Sequence, residues 1–260
     1  MYKALNLDIN PNTISSMLRN LSIIAFFFGA ALTTSAQVVS VTPAFPSQND
    51  TVTIIFDATQ GNGALTGTTP VYAHAGLITN QSTSPTDWKH VQGNWGTADP
   101  SVLMTPLGNN LHKIEYHMPT FYGFGSGVVV QQMAFVFRNA SGSIVGRSST
   151  GADIYYDVYS ANAGLLAQFM APQSTQLISA GDSIACVIAS NFRSNMKVTD
   201  NGTIVYQDST KQETFYLKGT APGMHTVVLE ASHDTSTVYD TIYYAVEPPL
   251  DVAALPGGME

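Results

Sequence analysis

Apolar and polar residues alternate with period two through most of this chain, a pattern that admits half-buried strands and disfavours amphipathic helices. In Thr51–Asp57, Val52, Ile54 and Phe56 share one face. In Leu111–Met118, Ile114, Tyr116 and Met118 oppose Lys113, Glu115 and His117. Met133, Phe135 and Phe137 alternate with Ala134, Val136 and Arg138. Each stretch predicts a strand with one buried and one wet face, as antiparallel sheets require. Asn139-Ala140-Ser141-Gly142 predicts a turn, after which Asp153–Tyr159 returns as a strand. No window between residues 38 and 247 carries a helical period over a dozen residues. The expected fold is all-β.

Composition narrows the function classes. Charged residues are only 11% of the chain against 44% hydrophobic, which permits a packed core and disfavours intrinsic disorder. A net charge of −8 disfavours a nucleic-acid surface, because phosphate neutralisation needs clustered basic side chains. The single cysteine, Cys186, excludes an intramolecular disulfide and a Cys-based zinc cage. Between the apolar neighbours of Ile184–Ile188 it reads as a small core residue.

The first 36 residues read as a cleaved secretory signal peptide. Arg19 precedes the uncharged run Leu21–Leu32, and Thr33-Thr34-Ser35-Ala36 supplies the small residues before cleavage. Twelve helical residues reach only about 18 Å, short of the roughly 30 Å of a bilayer core. Met17 would open a compact signal peptide by itself. The mature chain is expected to be secreted, periplasmic or at the cell surface, with no membrane segment. Residues 37–160 are expected to form one β-sandwich. A small polar seam at Ser160–Gly164 separates it from a second, immunoglobulin-like one over 161–247 with about seven short strands. There Asp200-Asn201-Gly202 predicts a hairpin turn needing positive φ, and Ser232–Thr237 joins two further alternating runs. Residues 248–260, opening on Pro248-Pro249, read as a linker towards a missing further domain.

Catalytic patterns are sparse. There is no G-x-S-x-G nucleophile turn, and Asp57, Asp87, Asp99, Glu115, Asp153 and Asp157 form no pair singled out by spacing. His112 and His117, five apart on a predicted strand, fall on opposite faces and do not make a metal pair. No catalytic or metal-ligating residue and no cofactor is therefore expected. The oxygen-rich stretch Asp57–Gly63 leaves calcium open. The aromatic residues say more. Trp88 and Trp95 lie in DWKHVQGNWG, a turn-like stretch, downstream of a strand that puts Tyr72 and His74 on one face. Flat rings flanked by hydrogen-bonding side chains suit the C–H faces and hydroxyl rims of sugars. A tryptophan anchoring a sandwich core is the competing reading.

The stretches VTPAFPSQNDTVTIIFDATQGNGAL, VYAHAGLIT, DWKHVQGNWG, MAFVFRNASGSIVGR and DIYYDVY follow one another through Val38–Tyr159. Together they resemble the N-terminal β-sandwich domain of secreted bacterial α-amylase-family glycoside hydrolases. The layout is also similar to starch-binding modules, in which a Y-x-H strand and a following tryptophan form the sugar platform. The loop Gly146–Ala152, GRSSTGA, departs from those modules in carrying neither tryptophan nor asparagine. Residues 160–247 resemble the small immunoglobulin-like domain of the same enzymes, and VAALPGGME the lead-in to their catalytic barrel. The resemblance implies a non-catalytic region whose partners are an α-glucan, contacted by Tyr72, His74, Trp88 and Trp95, and the missing catalytic domain. The alternative is a purely structural β-sandwich protein, in which both tryptophans would be buried against the sheet.

Overall fold

The alternating stretches pair as strands. The computed structural model describes residues 37–248. The signal peptide expected over 1–36, and the linker expected beyond Pro248, lie outside the described residues. Strands β1 (Val39–Thr42), β2 (Thr51–Asp57), β5 (Thr105–Gly108) and β6 (Leu111–His117) form an antiparallel sheet in the order β1-β2-β6-β5. A second sheet takes β3 (Tyr72–Thr79), β4 (Lys89–Gln92) and β7 (Val130–Arg138) in the order β4-β3-β7. Beyond β7, its far edge is shared by β8 (Val145–Gly146) and β9 (Ile154–Asp157). The apolar faces meet in one core, where Val52, Ile54 and Phe56 oppose Ala73, Ala75, Leu77, Met133, Phe135 and Phe137. Phe56 and Phe137 stack at 4.0 Å. Each such ring contributes about 1.5–3 kcal/mol by leaving water.

Two details differ from the sequence expectation. Met118 does not extend the strand; it opens the short helix α1 (Met118–Tyr122), with Pro119 in its first turn and Gly123 closing it at φ 65°. The helix delivers Tyr122 to the core, where its hydroxyl lies 3.0 Å from that of Tyr116. The second difference concerns β7. Ala134, Val136 and Arg138, expected to be wet, are all buried, because the 80s and 90s loops fold over the outer face of this sheet.

After Val158 the pattern restarts as β10 (Ala167–Ala171), β11 (Gln176–Ser179), β12 (Ser183–Asp200), β13 (Thr203–Lys218), β14 (Gly223–His233) and β15 (Ser236–Glu247). About seven short strands were expected, but β12 runs for 18 residues and β13 for 16. Neither contains a glycine or proline to break it. Instead β12 changes partners midway. Ala167–Ala171 pair with its first half and Val227–Ser232 with its second, across a register shift between Ala189 and Ser194. One continuous strand thereby serves both layers, and Cys186, Ile188, Met196, Val198, Leu217, Val227, Leu229 and Tyr244 fill the space between them. The hairpin at Asn201-Gly202 has the expected positive φ values, 46° and 85°. Strand β11 runs parallel to β15, an exception to the antiparallel expectation. The structure is all-β, as the alternation requires.

Candidate functional site

Strand β3 turns Ala73, Ala75 and Leu77 into the core, so Tyr72, His74, Gly76 and Ile78 line its outer face. Pairing sets Tyr72 opposite Arg138, His74 opposite Val136, and Gly76 opposite Ala134, with Tyr155 of β9 beyond Ala134. Trp88 lies over Gly76: a Cβ there would stand 2.9 Å from Trp88 Cε3. Only a glycine lets the indole come so close to the strand. Trp88 Nε1 lies 3.5 Å from the Tyr155 hydroxyl, the long limit of a hydrogen bond.

His74 joins the two tryptophans. Its ring is tilted 29° from that of Trp88 at 6.0 Å and meets Trp95 edge-on at 5.1 Å. Nδ1 is 2.8 Å from the Gly93 carbonyl, which can only accept, so Nδ1 carries the proton. Burial holds the imidazole below its ordinary pKa, with Arg138 adding to that effect and the Gly93 carbonyl and Asp153 opposing it. At neutral pH Nε2 therefore presents a lone pair, ready to accept from a hydroxyl.

Trp95 stands half exposed, at 48%. Its loop is tied from both sides. Asp99 accepts from Asn94 N and from Ser101 N and Oγ, bonds that lower its pKa. Arg138, fully buried, donates to the carbonyls of Asn94, Thr97, Asn139 and Ala140. Its guanidinium carbon lies 5.4 Å from the Tyr72 ring and 5.8 Å from the Trp95 ring. Gly142 backs the indole, since a Cβ there would come within 2.9 Å of Trp95 Nε1. The loop that bears Trp88 is likewise fixed. Asp87 accepts from Thr83 N and Oγ1 and pairs with Lys89 at 2.9 Å, contacts that bring its pKa down to about 2.

The fold thus gathers His74, Trp88 and Trp95 on one face of one sheet. Neither tryptophan belongs to the hydrophobic core. Tyr72 is placed differently from the expectation: it is only 6% exposed, packed beneath Arg138, so it underpins the shelf and its ring is closed to a ligand. Sequence reasoning missed Arg138 and Tyr155. The alternation puts Arg138 on the wet face, and its burial comes from the loop laid across β7. In Asp57–Gly63 the Asp57 carboxylate accepts from Thr59 N and Oγ1, and Asn62 is bonded to Val145, Arg147 and Ala64. Among the described residues no group of three His, Cys, Asp or Glu could hold a metal ion.

Fold and site together define an all-β chain of two sandwiches with an aromatic shelf on an outer sheet face of the first. A family model described as a domain of unknown function (DUF8578) matches residues 39–145. No curated protein matches the chain. Among solved structures it is similar to the fibronectin(III)-like modules of Clostridium thermocellum CbhA, at 13% identity and TM-score 0.26, covering 32% of this chain and 96% of that one. It is similar to the endo-beta-1,4-mannanase from Thermotoga petrophila at 16% identity and TM-score 0.28, covering 33% of this chain and 20% of that one. For the N-terminal four Ig domains of Dscam1 isoform 6.9 the figures are 11% and 0.25, over 68% of this chain and 37% of that one. At such TM-scores these likenesses carry no weight for function.

Proposed function

We propose that this chain is the non-catalytic α-glucan-binding and spacer region of a secreted α-amylase-family glycoside hydrolase, acting in starch degradation by holding substrate near a catalytic domain. The observation that carries the reading is the Trp95–His74–Trp88 arrangement, with a half-exposed indole fixed by a buried arginine. Trp95 would stack on a sugar face, Trp88 and Tyr155 would border the next position, and His74 Nε2 would accept from a hydroxyl. A shelf held in place before binding loses little entropy on association, the condition under which a small aromatic surface yields useful affinity. In this reading the chain binds and spaces, and the bond chemistry belongs to the catalytic domain.

The test is affinity electrophoresis of the full chain in gels with and without soluble starch. Starch should retard migration, with little dependence on salt, and Trp95→Ala or Trp88→Ala should reduce the retardation. Unchanged migration of the wild-type chain would overturn the proposal.

A further inference from the structure

The outer face that carries the shelf continues past it. One rung beyond Gly76, Ala134 and Tyr155, the same three strands present Ile78, Gln132 and Asp157. These form the floor of an open groove of about 480 Å3, whose far wall is Ser82–Pro85 of the loop leading to Trp88. Shelf and groove therefore occupy neighbouring rungs of one sheet face. From the His74 rung to the Ile78 rung, four residue steps at about 3.3 Å each, the face extends for about 13 Å. That is longer than a single sugar ring, and its chemistry changes along its length.

At the shelf end the surface is aromatic. At the groove end it is polar: Gln132 Nε2 donates to Asp157 Oδ1 at 2.8 Å, and the hydroxyl-bearing wall of Ser82, Thr83 and Ser84 faces this pair across the groove. Among the described residues Gln132 is the one side-chain donor to Asp157. A carboxylate so placed has acceptor capacity left for hydroxyl donors. The wall is pre-set as well, since Ser82 Oγ accepts from Thr79 N at 3.0 Å and Asp87 holds Thr83. Apolar stacking at one end and a carboxylate–amide pair at the other fit a ligand of repeating units.

We infer that the groove is a second subsite for the same ligand, so that the preferred partner is a multi-unit stretch of linear α-glucan rather than a mono- or disaccharide. This rests on the shelf being a glucan site. The experiment is calorimetric titration of the full chain with maltotriose and with maltoheptaose, for wild type, Trp95→Ala, Asp157→Ala and Gln132→Ala. Maltoheptaose should bind wild type about tenfold more tightly than maltotriose, and either groove variant should remove most of that gain while leaving maltotriose affinity and thermal unfolding unchanged. Trp95→Ala should weaken both sugars. If the gain with length persists in both groove variants, the second subsite is wrong and the shelf stands. If neither sugar binds wild type, the shelf reading itself falls and the groove falls with it.

Discussion

The second sandwich exposes more tyrosine than the first exposes tryptophan, yet the histidine-linked pair of indoles lies on the first. Tyr216, Tyr239 and Tyr243 are 70%, 65% and 49% exposed, against 48% for Trp95. The difference lies beneath the rings. Trp95 rests on Gly142, meets His74 edge-on, and sits in a loop whose carbonyls are held by Arg138 and whose amide is held by Asp99. Tyr239 and Tyr243 share one exposed face of β15, and no aromatic pair among the described residues includes any of the three. Exposure therefore marks a ring that water can reach, while fixed backing marks one whose position the fold specifies. The long strands of the second region make a frame, and the short strands and tied loops of the first make a surface.

Arg138 should give the largest effect if this contrast is right. Replacing it by Met removes four part-buried hydrogen bonds to loop carbonyls, at a cost of about 3 kcal/mol or more. Denaturant unfolding should show that loss in the transition of the first sandwich alone, with the second unmoved. Equal destabilisation of both would mean that the two regions are not energetically separate. Next comes Trp95→Ala, expected to weaken starch-oligosaccharide binding by about 2 kcal/mol, roughly thirtyfold, with unfolding nearly unchanged. Tyr239→Ala is the matched control in the second region and should leave binding as it was. A comparable loss there would break the contrast directly. Gly76→Ala should fall between stability and binding. The added methyl meets Trp88 Cε3 at 2.9 Å, so the indole must move or the strand must yield, costing about 1–3 kcal/mol of stability and some affinity.

Much of this was legible in the alternation. Val52-Ile54-Phe56 and Met133-Phe135-Phe137 face the core as their spacing requires, and Asn201-Gly202 turns where a positive φ was called for. The association of His74 with Trp88 and Trp95 was legible only as residue type and nearness in sequence. What escaped was anything set by one segment covering another. Arg138 reads locally as a wet-face residue, and only the loop laid across β7 makes it a buried clamp. Tyr72 reads as a platform ring for the same reason, yet that clamp covers it. The 18-residue β12 escaped differently, because period-two patterning cannot reveal where a strand exchanges partners.

The smallest predicted effect is on pH dependence, where the two regions should respond in opposite senses. In the first, burial holds His74 and His112 below the ordinary imidazole value near 6.5, so the unfolded chain binds protons more readily. Its stability should be full above about pH 6.5 and decline as pH falls towards the lowered folded values. In the second, His225 is nearly enclosed, with Nδ1 2.8 Å from Asp200 Oδ1 and Nε2 2.8 Å from the Ala221 carbonyl. Tyr244 stacks on the ring at 4.4 Å and donates its hydroxyl to Asp200 Oδ2, while Asn201 borders Nδ1. Burial alone would push the imidazole pKa down, but the Ala221 carbonyl and the Asp200 carboxylate outweigh it, and the net direction is up. The stability from this contact should be full below about pH 6.5 and lost as pH rises through the raised folded value. Thermal unfolding from about pH 5 to about pH 9 should therefore shift the two transitions in opposite directions. His225→Gln should flatten the alkaline decline of the second and leave the first alone. An unchanged slope in that variant would show that His225 is not the group responsible.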